Sequence, residues 1–114
     1  MKIKMKNYNM KDFQLEVDEL FNKFPFSWSN YVHYIRLVEE VGELGEALTV
    51  YECDRQAGSG KAAMAFHNDL TEEIGDVLFA LVRVANKTKI DLDVAVDSAR
   101  KRYNEKLNKY LDVN

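Results

Sequence analysis

The sequence predicts an all-α fold, an antiparallel four-helix bundle, and three observations carry that expectation. Apolar residues recur at helical spacing in four stretches, capping and loop-forming residues separate those stretches, and no stretch alternates apolar with polar side chains as a half-buried strand would. Four helices with short connections favour antiparallel neighbours. The length of 114 residues, 46% of them apolar, suits one core, so a single domain over residues 1–114 is expected.

In the first helix, Met10, Phe13, Val17, Leu20, Phe21 and Phe24 share a face, with Asn9 as the expected N-cap and Pro25 as the stop. Phe26, Ser27, Trp28 and Ser29 form a short connection. Ser29 or Asn30 then caps a second helix, whose apolar positions include Tyr34, Leu37, Val38, Val41, Leu44 and Leu48 and which runs to about Cys53. Residues 54–60, with two glycines, a serine and charge, have the composition of a loop. Residues 62–66 are compatible with helix, but Asp69-Leu70-Thr71-Glu72 has capping-box spacing and sets the expected start of the third helix. Leu70, Ile74, Val77, Leu78, Leu81, Val84 and Ala85 are its apolar positions, and it fades over residues 86–89, where Asn86 and Lys87 are candidate caps. Asp91 caps a fourth helix with Leu92, Ala95, Ala99, Tyr103, Leu107 and Tyr110 inward and Arg100, Lys101, Arg102, Lys106 and Lys109 elsewhere.

The formal net charge of -3 argues against a partner that is a nucleic-acid polymer. Cys53 is the only cysteine, so no internal disulfide can form, and a reducing compartment, the cytoplasm, is expected. Residues 1–6 carry three lysines but lead into Asn7, Tyr8 and Asn9, which is no secretory signal and reads as a frayed terminus. No transmembrane segment is expected.

Two acidic turns dominate the pattern: Glu39-Glu40-Val41-Gly42-Glu43 and Glu72-Glu73-Ile74-Gly75-Asp76. On a wheel advancing ~100° per residue, Glu40 and Glu73 sit at the edges of their apolar arcs, with Glu43 and Asp76 farther round. Antiparallel packing of the arcs would bring all four carboxylates to one seam. A solvated acidic face is the bland alternative, and the charge pattern weakens it. Glu39 meets Glu43 and Glu72 meets Asp76 at four-residue spacing, where like charges cost roughly 0.2–0.5 kcal/mol per pair. Arg36 is the one nearby base on the second helix and cannot balance the group. A shared cation can, and oxygen-only ligands suit Mg²⁺ or Mn²⁺. Gly42, Gly45 and Gly75, costly in helix interiors, are explained by close approach of a backbone or a ligand. A ferritin-like di-iron site is rejected because neither His33 nor His67 follows an acid at the required spacing. An EF-hand around Asp91, Asp93 and Asp97 fails because Val96 and Arg102 occupy its glycine and final-glutamate positions.

Glu39-Glu40-x-x-Glu43 followed by Glu73-x-x-Asp76 within Glu-Glu-Ile-Gly-Asp-Val-Leu-Phe resembles the MazG-like all-α nucleoside triphosphate pyrophosphohydrolases, over most of the chain from Tyr34 to Tyr103. The resemblance implies hydrolysis of a (deoxy)nucleoside triphosphate to the monophosphate and pyrophosphate. It implies Mg²⁺ held by Glu40, Glu43, Glu73 and Asp76, with Glu39 as a further candidate. On chemical grounds Glu39 and Glu43 are both candidates for the carboxylate that orients the attacking water or accepts its proton. The resemblance also implies a homodimer or homotetramer that completes the site across an interface. In the last helix Arg100 stands where the family often has asparagine, and the spacer between Glu43 and Glu73 is long, marking residues 54–66 as an insertion over the site or at a subunit interface. Lys101 and Arg102 are candidates for gripping the triphosphate, against a solvated basic face. Trp28 is a candidate for stacking on a base, but an aromatic after Phe24 and Phe26 is more often part of the core. His33 reads as structural or exposed, with contact to substrate as the lesser alternative, and Cys53 carries no sign of activation. Two rival functions are a non-catalytic helical module that keeps the metal site for stability or regulation, and a phosphohydrolase of another pyrophosphate-containing metabolite.

Overall fold

The structure, a computed structural model, describes residues 9–52 and 61–113, with the backbone alone for 61–68 and 113. The expected loop at residues 54–60, Cys53 and residues 1–6 lie outside the described residues. Four helices, α1 (Met10–Phe21), α2 (Asn30–Tyr51), α3 (Lys61–Lys87) and α4 (Leu92–Val113), make up the fold, and no strand occurs among the described residues.

Local chemistry sets most helix ends. Asn9 caps α1 in a reciprocal box, its side chain accepting from the Asp12 amide at 2.9 Å while the Asp12 carboxylate accepts from the Asn9 amide at 3.1 Å. The helix ends at Phe21, before Pro25, because the Lys23 and Phe24 amides turn back to the Leu20 and Phe21 carbonyls. Phe24 therefore leaves the helical face on which periodicity placed it. Ser29 caps α2 through the Val32 amide, and Asp91 caps α4 by accepting from the Asp93 amide at 2.9 Å.

The expected start of α3 at Asp69 is wrong. The helix is continuous from Lys61, so Asp69 lies in its interior and the second acidic turn sits mid-helix. No glycine or proline interrupts residues 61–72, and alanines at 62, 63 and 65 favour helix, so the capping-box spacing has no chain end to cap. At the other end Lys89 takes φ 59°, with the Ile90 amide bonding the Ala85 carbonyl and the Lys89 amide that of Asn86, a Schellman closure.

α2 and α3 form the largest interface. Glu43 stands beside Glu73, Glu40 beside Asp76, and His33 beside Arg83 and Lys87, so the two helices run antiparallel. α1 lies on α3, where Phe13 and Phe21 each pack edge-to-face with Phe79 at centroid distances of 5.3 and 6.5 Å. Val17, Val82 and Ala85 are the buried hydrophobic centre. Beside them the buried Gln14 donates to Asn86 and to the Ile90 carbonyl and accepts from the Leu92 amide, tying α1 to the turn between α3 and α4. Asn86 is thus a tie to α1, its amide donating to the Gln14 carbonyl at 3.0 Å. Asp93 adds a second tie by accepting from the Met10 and Lys11 amides at the α1 N-terminus.

The inner face expected for α4 stops early. Leu92, Ala95 and Ala99 are half-buried, whereas Tyr103 and Tyr110 are 68% and 67% exposed and Leu107 is exposed too. α4 meets α1, and no other described helix packs extensively against it. No described helix is long and apolar enough to cross a membrane.

Candidate metal centre and adjoining cleft

The α2–α3 seam brings the acidic turns together. One carboxylate oxygen from each of Glu40, Glu73 and Asp76 lies within 4.8 Å of the others, a spacing that one cation can span. Glu40 is the most enclosed of the three, 9% exposed, and Asp76 is open to solvent. Oε1 of Glu40 accepts from Arg36 Nη2 at 2.9 Å, but Oε2 of Glu40 and Oε2 of Glu73 are buried without a hydrogen-bond donor. Burial, and then the nearby Glu43 and Asp76 charges, push both carboxyls above their ordinary range, and Arg36 offsets this only for Glu40. Two buried, donorless acceptor oxygens on members of a like-charged cluster fit a divalent cation, which satisfies both the lone pairs and the charge.

Glu43 adjoins both Glu40 and Glu73 but is exposed and outside the tightest group of three. Glu39 is not in the group of three and forms an ion pair with Arg36 Nη1 at 3.0 Å. Among the described residues Gly42, Gly45 and Gly75 do not serve close helix contact, since a Cβ at any of them would meet nothing within 4 Å.

Next to the cluster opens a cleft of about 480 Å³, lined by the charged side chains of Glu40, Asp76, Arg36 and Arg83 and by aromatic rings that include Phe26 and Trp28. The rings form a strip: Phe21 stacks on Phe24, Phe24 tilts against Phe26, and Phe26 stacks on Trp28 at 4.8 Å and 19°. Trp28 is half-buried and reaches His33 at 5.6 Å, while Phe24 and Phe26 are exposed, so this run faces a cleft and not a core. His33 is 2% exposed with Nε2 unpartnered, and burial together with Arg83 and Lys87 lowers its pKa, keeping the ring neutral at neutral pH. Lys101 and Arg102 lie on exposed α4, and neither lines the cleft.

The profile of the MazG nucleotide pyrophosphohydrolase domain matches residues 29–110. The chain belongs to the MazG nucleotide pyrophosphohydrolase family. YpjD of Bacillus subtilis (strain 168), described as uncharacterised, is 37% identical over 101 residues, which cover 88% of this chain and 87% of YpjD. The crystal structure of the Bacillus-conserved MazG protein, described as a nucleotide pyrophosphohydrolase, aligns with a TM-score of 0.69 at 31% identity, covering 87% of this chain and 93% of that one. The crystal structure of Bacillus subtilis YpjD aligns with a TM-score of 0.67 at 35% identity, covering 88% and 97%.

Within this MazG domain, sequence reading missed Arg83. Its guanidinium carbon sits 3.9 Å from the Phe21 ring centroid and 5.2 Å from that of Trp28. The available signal was its position seven residues after Asp76, which returns it to the same helix face, but that signal has no meaning until the aromatic strip is placed opposite.

Proposed function

We propose that this MazG chain is a cytoplasmic, Mg²⁺-dependent hydrolase converting a (deoxy)nucleoside triphosphate to the monophosphate and pyrophosphate, in the manner of nucleotide-pool house-cleaning. The observation that carries the reading is the pair of donorless buried oxygens on Glu40 and Glu73, two carboxylates that group with Asp76 beside an aromatic cleft. Glu40, Glu73 and Asp76 would hold Mg²⁺, or Mn²⁺ in its place, with Glu43 as a fourth ligand or as the base. A divalent ion there supplies charge neutralisation for phosphate oxygens and a water of lowered pKa.

In hydrolysis, water attacks the α-phosphorus and the bond from that phosphorus to the α–β bridging oxygen breaks, the oxygen leaving with pyrophosphate. Glu43 suits the role of proton acceptor better than Glu39, because Glu39 is already engaged by Arg36 and Glu43 adjoins the cluster with its carboxylate open to water. The aromatic strip with Trp28 takes the base. Lys101 and Arg102 reach substrate from a second copy of the chain, since within one copy they lie away from the cleft.

The test is release of pyrophosphate and monophosphate from a panel of ribo- and deoxyribonucleoside triphosphates with Mg²⁺. Stoichiometric appearance of both is expected. A folded, metal-loaded protein that releases pyrophosphate from none of them rejects the reading.

A further inference from the structure

Among the described residues Arg83 has no counter-ion, in a cleft that Glu40 and Asp76 also line. Among the described residues it makes no hydrogen bond or ion pair. The charged group acting on it is another arginine, Arg36, and the histidine beside it is kept neutral. Half-burial and a like charge make this an expensive place for a guanidinium unless something supplies acceptors.

The geometry narrows what that is. Phe21 and Trp28 lie against the guanidinium at 3.9 and 5.2 Å from their centroids, so the edge of the fork, with its N–H donors, is what a ligand can reach. Asp76 and Arg83 line the same cleft from one face of α3, two turns or about 10 Å apart along the axis. A nucleotide whose phosphates lie at Asp76 extends its base toward Arg83, and the ring-lined wall between them suits a flat π-system and not a second phosphate.

Building on the reading of the acidic cluster as a nucleotide site, we infer that Arg83 determines base specificity, its rigid fork selecting a base edge that presents two adjacent acceptors. Guanine offers O6 and N7, and cytosine offers N3 and O2. Adenine sets its amino donor beside N1 and N7, and uracil and thymine place the N3–H donor between their carbonyls. The protein thus favours guanine or cytosine nucleotides over adenine and uracil or thymine nucleotides.

Two readouts on the full chain test this. Trp28 is the only tryptophan and lies beside Arg83, so its fluorescence reports binding of GMP, CMP, AMP and UMP in the presence of Mg²⁺. In parallel, kcat/KM is measured for dGTP, dCTP, dATP and dTTP. A preference of about tenfold or more for guanine or cytosine is expected in both. Arg83→Lys keeps the charge but loses the fork, and it should erase the preference while the chain keeps its helical circular dichroism and still turns over adenine and thymine substrates. Arg83→Gln should behave likewise.

Equal treatment of all four bases, or a preference for adenine or uracil, overturns the inference. So does a uniform loss over all four substrates in Arg83→Lys, which would mark a phosphate contact or a packing role. If no triphosphate is hydrolysed, the hydrolase reading fails, while the monophosphate titrations still decide the role of Arg83.

Discussion

Glu40 and Glu73 each carry a buried oxygen that no donor reaches, and the consequence is a definite pH dependence. Both carboxyls are raised in the folded state, so their ionised forms oppose folding above those raised values. In the metal-free protein this opposition fades as pH falls toward the ordinary carboxylate value of 4.5 and is absent below it, where folded and unfolded states are both protonated. His33 works in the other direction: its folded pKa is lowered, so folding loses stability as pH drops below 6.5 toward that lowered value. The difference between melts with and without Mg²⁺ isolates the carboxylates, because a cation needs its ligands deprotonated. Mg²⁺ should raise Tm more at about pH 7.5 than at about pH 5.5. Glu40→Gln and Asp76→Asn should each remove that rise, and persistence in both would refute the ligand assignment. At this scale the acidic residues were legible because their four-residue like-charge spacing is a local anomaly. The orphaned oxygens were not, since burial depends on the opposite helix.

The helix ends show where local chemistry suffices. Asn9, Ser29 and Asp91 cap as their sequence neighbours imply, because an N-cap bond joins residues three apart or fewer. Asp69 has the same signature and fails, because a capping box acts only where the chain enters a helix, and α3 begins at Lys61. The C-terminus of α3 relies on a non-glycine residue in the left-handed region, Lys89 at φ 59°. Lys89→Gly should therefore stabilise the fold by about 0.5–1 kcal/mol, relief of the side-chain strain outweighing the added freedom of the unfolded chain. Thermal unfolding would show a rise of a few degrees in Tm. A fall would mean that the lysine side chain matters more than its backbone.

For the whole molecule, the radius of gyration of 18.1 Å exceeds the value of about 13 Å for a compact chain of this length. The described residues leave Ile35, Val38 and Val41 on α2 and Tyr103, Leu107 and Leu111 on α4 exposed. α4 carries lysines and arginines around its apolar stripe while α2 carries glutamates around its own, so a second copy is a complementary cover for both. Light scattering should give at least twice the 13.2 kDa chain mass, and Leu107→Glu should lower it. A monomer at micromolar concentration would reject self-association.

By itself the sequence determined four helices, most of their caps and the two acidic turns with their family resemblance, because periodicity, capping and charge spacing all act within a few residues of chain. The tertiary structure alone decided which carboxylate oxygens lose their donors, that Phe26 and Trp28 face a cleft, and that Arg83 stands between rings from two other segments. Each of these follows from burial and the apposition of distant segments, and neither is encoded in the spacing along one helix.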